Sequence, residues 1–228
     1  MRAESLLQLL QSVREQTLYP NEILIIDGST NSETRIVLVE NTFKNLTYFL
    51  VPKEYRGLTR QRNYGVDKAS ETSDMIAFVD DDTELTPNYF EELVRTFVAD
   101  KTIFGVGGVA LNENSWVLAE PNKQYNKYHF FQFDKFVYKE GKRNVVRNYL
   151  RLQSNLEPGK MPDYSHGRTC GFPLDGNIYK VDLLIGMSFA FRKIVFDSIQ
   201  FSSYFEGYRL YADADFSIRA LLFRSNLM

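Results

Sequence analysis

Asp80, Asp81 and Asp82 stand together at the end of an apolar run, Met75-Ile-Ala-Phe-Val79. A run of this kind reads as a buried strand. Its polar end then lies at the carboxyl edge of a sheet, where open α/β folds bind their ligands. Adjacent carboxylates repel one another, and a hard divalent cation with oxygen ligands relieves that repulsion. Mg²⁺ in particular takes one or two carboxylates together with substrate phosphates. The triplet therefore points to a metal–diphosphate site. A solvated acidic turn is the plain alternative, because turns also collect Asp. Asp27 ends a second apolar run, Ile23-Leu-Ile-Ile26. Asp213 and Asp215 open a segment, Tyr211 to Arg219, that reads as the start of a helix.

The elements that must position these acids follow from periodicity. Ala3, Leu6, Leu7, Leu10 and Val13 are spaced as one stripe of a helix over 3–16, which Tyr19-Pro20 ends. A strand over 22–27, a loop at Gly28-Ser29-Thr30-Asn31, a helix over 34–43 and a strand over 46–51 follow. Residues 59–70 read as a helix carrying Arg60, Arg62 and Asn63, ahead of the strand 75–80. Thr86 caps the next helix and Pro87 sits in its first turn, with Glu91 and Glu92 at the positive end. Residues 103–111 return as a glycine-containing strand. The alternation predicts right-handed crossovers and a parallel sheet. Both acidic strand tips, Asp27 and Asp80–Asp82, would then face one edge and can share one pocket.

Residues 112–180 carry an aromatic stretch from Tyr125 to Tyr138 with Lys123, Lys127, Lys135 and Lys139 interleaved. Arg143, Arg147 and Arg151 follow at a spacing of four, one face of a helix. This region fits a surface that meets anionic lipid headgroups or a phosphate-bearing acceptor, a peripheral membrane contact. The plainer reading is an ordinary subdomain core with solvated lysines, because such stretches usually pack inside. Residues 154–176 are rich in Gly and Pro and read as a long loop. Gly186-Met187-Ser188 is a small-residue turn before an apolar run.

Composition narrows the classes. With 228 residues the chain is long enough for one large α/β domain. Its net charge of −2 recruits no nucleic acid as a partner. Cys170 is the only cysteine, so no internal disulfide forms and a reducing, cytoplasmic compartment fits. His129 and His166 are too few for a His-rich zinc site. No apolar run reaches the ~18 residues of a membrane span.

Four motifs in this order resemble the inverting family 2 glycosyltransferases of the GT-A fold. They are Ile25-Ile-Asp27-Gly-Ser-Thr30, Gly57-Leu-Thr-Arg-Gln-Arg62-Asn63, Phe78-Val-Asp80-Asp81-Asp82 and Asp213-Ala-Asp215-Phe-Ser-Ile-Arg219. Gln16-Thr17 with Tyr19-Pro20, the segment from Gly186 to Arg192, and Phe205-Glu206-Gly207-Tyr208 also look like family sequence. The resemblance implies a Rossmann-like, mostly parallel sheet flanked by helices. It divides one domain into a nucleotide-sugar-binding half, 1–111, and an acceptor-binding half, 112–228. It implies transfer of a sugar from a nucleotide-diphosphate donor to an acceptor hydroxyl, with inversion. The acceptor class is a saccharide or a lipid-linked species, as in polysaccharide assembly.

Residue by residue, the resemblance makes Asp80 and Asp82 the acids that hold Mg²⁺ or Mn²⁺ against the diphosphate. Asp81 is left to the ribose or to loop support. Asp27 matches an acid that contacts the nucleoside. Arg62 matches an arginine near the nucleotide, and its fork suits phosphate or uracil oxygens. Asp213 matches the general base that takes the acceptor's proton, with Asp215 structural or the two roles exchanged. Departures from the pattern also stand out. Ala212 replaces the usual Glu before the base, and Ile26 replaces the first acid of the nucleoside pair. The family's first strand is missing, because the sequence begins inside the first helix, and both ends read as those of a shortened chain. A non-catalytic nucleotide-sugar-binding remnant is the alternative to an enzyme.

Overall fold

The computed structural model describes residues 2–164, 167–168, 170–206 and 211–226. In chain order the elements are α1 (Ala3–Arg14), β1 (Ile23–Asp27), α2 (Glu33–Glu40), β2 (Leu46–Leu50), α3 (Leu58–Lys68), β3 (Met75–Val79), α4 (Tyr89–Ala99) and β4 (Gly105–Gly107). They continue with β5 (Trp116–Leu118), β6 (Phe130–Phe133), β7 (Phe136–Lys139), α5 (Lys142–Tyr149), β8 (Ser188–Arg192) and α6 (Ala212–Asn226). This is a mixed α/β architecture, consistent with the GT-A fold. Tertiary contacts group Met1–Gly108 with Leu184–Met228 as one compact unit, and Val109–Leu183 as another.

In the first unit, β1 and β2 pair in parallel, with Ile25 opposite Tyr48. The helix between them makes this the expected crossover unit. β3 and β4 behave differently from an uninterrupted parallel sheet. β8 lies between them and pairs antiparallel with both. The apolar run after Gly186 is thus a return strand, free to run against its neighbours because no helical crossover joins it to either one.

The core of this unit has two main centres. Leu6, Leu9, Leu10 and Val13 of α1 pack on Ile25, Phe43 and Leu85. Of the stripe expected on α1, Leu6, Leu10 and Val13 are buried and Leu7 packs on them part-buried, while Leu9 joins the core. Phe189 and Phe191 of β8 pack on Val195, Phe196, Phe201 and on Phe216 and Ala220 of α6. Phe216 is fully buried and stacks on Phe201 with centroids 4.2 Å apart. That burial fixes the first turns of α6, where Asp213 stands.

The start of α4 departs from expectation. Thr86 and Pro87 lie before the helix rather than at its cap. The Phe90 amide is instead satisfied by Gln16 Oε1 at 3.2 Å, and Gln16 Nε2 donates to the Thr86 carbonyl at 2.7 Å. A buried glutamine from the end of α1 therefore fills a need that a local cap would meet elsewhere. β4 is also shorter than the strand expected over 103–111.

In the second unit, the aromatic stretch forms a three-stranded antiparallel sheet in the order β5-β7-β6. Trp116 meets Phe131, Phe133 and Tyr138 across it. The aromatic rings thus serve largely as a subdomain core. Arg168 and Glu140 form a buried ion pair beneath them, with the guanidinium 3.5 Å over the Phe131 ring. Residues 154–164 and the described part of 167–176 carry no helix or strand. α5 takes up Arg143 and Arg147, while Arg151 falls beyond its end at φ 58°.

Candidate active site

The register of β3 on β8 sets the geometry. Val79 lies opposite Ser188, so the next residues outward, Asp80 and Met187, face one another. The Asp80 amide donates to the Met187 carbonyl at 2.9 Å. The acidic tip is thereby tied to the Gly186–Ser188 turn. α6 reaches the same turn. The Gly186 amide donates to Asp213 Oδ2 at 2.9 Å. Ser217 Oγ donates to the Asp213 carbonyl at 2.7 Å and accepts from the Leu184 amide at 3.1 Å. Among the described residues Asp213 Oδ1 has no hydrogen-bond partner.

α3 supplies the third member. Arg62 Nη2 donates to the Gly186 carbonyl at 3.0 Å and lies 3.6 Å from Asp80 Oδ1. Gly186 is therefore gripped by Asp213 through its amide and by Arg62 through its carbonyl. Arg62 is buried, not the exposed helix charge its position would allow. Its guanidinium lies 5.0 Å from the Phe189 ring and 5.3 Å from the Phe201 ring, within cation–π range. Burial pushes its pKa down, while Asp80 and Asp213 act to raise it. Burial likewise raises the pKa of Asp80; Arg62 counters this, and the charges of Asp82, Asp81 and Asp213 add to it.

Asp81 and Asp82 are joined to a residue that sequence inspection passed over. The Arg2 amide donates to Asp81 Oδ2 at 2.9 Å, and Arg2 Nη2 lies 3.0 Å from Asp81 Oδ1 and 2.7 Å from Asp82 Oδ2. A cationic group thus already bridges two of the three acids. No motif includes Arg2, so nothing local could have signalled it.

Asp27 ends β1, which pairs with β2 in a sheet distinct from that of β3 and β8. It is fully buried, accepting from the Ser29 amide at 2.8 Å and from the Tyr48 hydroxyl at 2.9 Å. Burial opposes its charge, but the bonds from Ser29 and Tyr48 prevail and hold its pKa below the ordinary range. The Tyr48 hydroxyl is pushed up to about 12, by burial and by Asp27. The link from this tip to the cluster is α3. Gln61 Nε2 donates to the Ile26 carbonyl at 2.8 Å, one residue before Arg62.

Glu206 holds the start of α3. Its carboxylate accepts from the Arg60 amide at 2.9 Å and from the Thr59 hydroxyl. Gly57 precedes the helix at φ 125°, and a Cβ there would meet Glu206 Oε2 at 1.9 Å. The Phe205-Glu206 part of the motif is thus a helix cap from a distant segment; Gly207 and Tyr208 lie outside the described residues. Asp215 pairs with Arg219, with Nε 3.0 Å from Oδ2, and does not reach Gly186. Ala212 is buried.

Among the described residues no three His, Cys, Asp or Glu side chains are grouped to cage a cation. Two carboxylates still suit an ion that completes its shell with donor phosphates and water. The bridging position of the Arg2 guanidinium shows that this place accepts positive charge.

Residues 1–160 match the family model described as Glycosyl transferase family 2. The chain belongs to that family. Its members among curated proteins include relatives of diverse activity. A glucosyl-dolichyl phosphate glucuronosyltransferase of Haloferax volcanii is 29% identical over 123 residues, 53% of this chain and 37% of that protein. A hyaluronan synthase of Streptococcus pyogenes is 34% identical over 110 residues, 46% of this chain and 26% of that protein. The matched stretches thus span well under half the length of either relative. Among the described residues no helix is long and apolar enough to cross a membrane.

Proposed function

We propose that this family 2 glycosyltransferase moves a sugar, with inversion, from a nucleotide-diphosphate donor to an acceptor hydroxyl. The observation that carries the reading is the meeting of Arg62 and Asp213 on Gly186, with Asp80 3.6 Å from Arg62 and bonded to the adjacent Met187. Asp213 is the general base. Its Oδ2 is anchored on the Gly186 amide, which leaves Oδ1 to take the acceptor's proton as the new bond forms. Asp80 and Asp82 would hold Mg²⁺ or Mn²⁺ against the donor diphosphate, and such an ion neutralises charge on the departing nucleotide. Arg62 keeps Asp80 and the Gly186 turn in place. Among the described residues its buried Nη1 has no partner, spare donor capacity that suits a donor oxygen. Asp27 acts on the nucleoside side by ordering Gly28 and Ser29, and Asp81 supports the acidic loop.

The acceptor is a saccharide or a lipid-linked species. The dolichyl phosphate in one relative's name and the hyaluronan in the other's support these two classes. Asp213→Asn tests the assignment of the base. The variant is expected to lose transfer by about 10²–10⁴-fold while calorimetry still shows Mn²⁺-dependent binding of the nucleotide diphosphate. Full turnover in that variant removes Asp213 from the role.

A second reading is a non-catalytic nucleotide-sugar binder. Ala212, buried where the family carries an acid, and the Arg2 bridge over Asp81 and Asp82 favour it. It calls for donor binding with neither transfer nor donor hydrolysis across a panel of nucleotide sugars.

A further inference from the structure

From Gly141 to Leu156 the chain holds four cations, Lys142, Arg143, Arg147 and Arg151, and no carboxylate, although its net charge is −2. α5 sits at the start of this segment. One side of it is fixed inward by polar bonds: Asn144 Nδ2 donates to Glu140 Oε2 at 3.0 Å, and Asn148 Nδ2 to the Tyr128 carbonyl at 2.9 Å. That orientation turns the row Lys142, Val146, Leu150, spaced by four, outward. Val146 is 58% exposed and Leu150 62%. The adjoining row carries Arg143 and Arg147. Tyr149 flanks the other side, 55% exposed and stacked on Tyr128 with centroids 4.5 Å apart. Lys127 lies 5.5 Å from the Tyr128 ring.

We infer that the outward face of α5 docks the protein onto an anionic lipid bilayer surface, with Val146, Leu150 and Tyr149 entering the headgroup boundary and Lys142 and Arg143 meeting lipid phosphates. The chemistry selects this partner. A convex row of aliphatic side chains with flanking cations is what the interfacial region accepts, and a tyrosine with an apolar body and a polar tip suits the same depth. A nucleic-acid groove would use the cations but leave the aliphatic row in water. An acidic protein would need a groove shaped to this ridge, whereas a bilayer needs none. The inference stands on the second compact unit alone and is independent of the transfer reaction.

Flotation of the full chain with vesicles tests it. Vesicles of phosphatidylcholine with phosphatidylglycerol are expected to carry the protein, vesicles of phosphatidylcholine alone to carry little, and added salt to weaken the binding. Lys142→Glu with Arg143→Glu, and separately Val146→Ser with Leu150→Ser, are each expected to lower binding about tenfold or more. All four side chains are exposed, so circular dichroism should be unchanged. Val39→Glu, at an exposed position on α2, should bind as the parent does. Absence of binding to anionic vesicles overturns the inference, as does binding that neither pair of substitutions reduces. So does displacement from vesicles by a short single-stranded RNA at equal phosphate concentration.

Discussion

The Gly186 amide donates to Asp213 Oδ2 at 2.9 Å, and a Cβ placed on Gly186 would stand 3.1 Å from that same oxygen and 3.2 Å from the Asp213 Cβ. The contact is too close for a side chain unless the carboxylate gives way. Gly186→Ala should therefore displace Asp213 by a few tenths of an ångström while the fold survives. Misplacement of a reacting group by about an ångström can cost on the order of 10²-fold in rate, so turnover should fall by ~10-fold or more. Donor binding by calorimetry should change little. Unchanged turnover would show that the Asp213 position is not critical.

Arg2 competes for the acids that the proposed cation needs. Its side chain is exposed, so the contact is screened and modest. Arg2→Ala should tighten Mn²⁺ binding by up to about fivefold, read by the paramagnetic relaxation of water protons. Weaker binding in the variant would mean that Arg2 organises the acids instead of blocking them.

Asp27 contributes stability of a definite pH dependence. Its pKa is depressed in the folded chain, so its contribution is complete above the unfolded value of ~3.9 and is lost as pH falls through the folded value. Asp27→Asn puts an amide donor among groups that already donate, and should cost about 1–3 kcal/mol near neutral pH. The difference from the parent in urea unfolding should hold between about pH 7 and 5 and shrink below about pH 4. A gap that stays constant into acid would mean that packing, not charge, is what Asp27 provides.

The buried pair of Glu140 and Arg168 should show the asymmetry of buried ions. The Arg168 guanidinium also donates to the Ser154 carbonyl at 3.1 Å, so it is held in place when its partner changes. Glu140→Met leaves a buried cation unpaired and should cost about 3–5 kcal/mol. Glu140→Met with Arg168→Met should recover much of that loss in urea denaturation. A double variant as unstable as the single one would refute a charge-based account.

Parts of the site were legible because they obey local rules. An apolar run closing on Asp80 reads as a strand from its neighbours alone, and β3 forms there, although it is half-buried with Ala77 exposed instead of enclosed. The 3.6-residue stripe of α1 and the helix carrying Arg62 follow from spacing alone. Other features had no local signal. Gln16 caps α4 from 74 positions away, and Glu206 caps α3 from 146. A side chain that meets a distant helix end looks, in sequence, like any polar residue in a loop. The exposed-or-buried state of Arg62 was equally open, since its helix is polar on most sides and the rings against it, Phe78, Phe189 and Phe201, come from distant segments.

By itself the sequence determined which residues carry charge at the ends of apolar segments, and hence the family. Those properties depend on neighbours in the chain. Tertiary structure alone decided that β8 runs back between β3 and β4, because pairing is chosen among strands far apart in sequence. That choice sets Asp80 opposite Met187 and delivers Gly186 to both Arg62 and Asp213. Helix geometry, which is local, sets Asp213 and Asp215 some 200° apart around the α6 axis, and tertiary packing decided which of them faces the turn. One meets the Gly186 turn and the other meets Arg219.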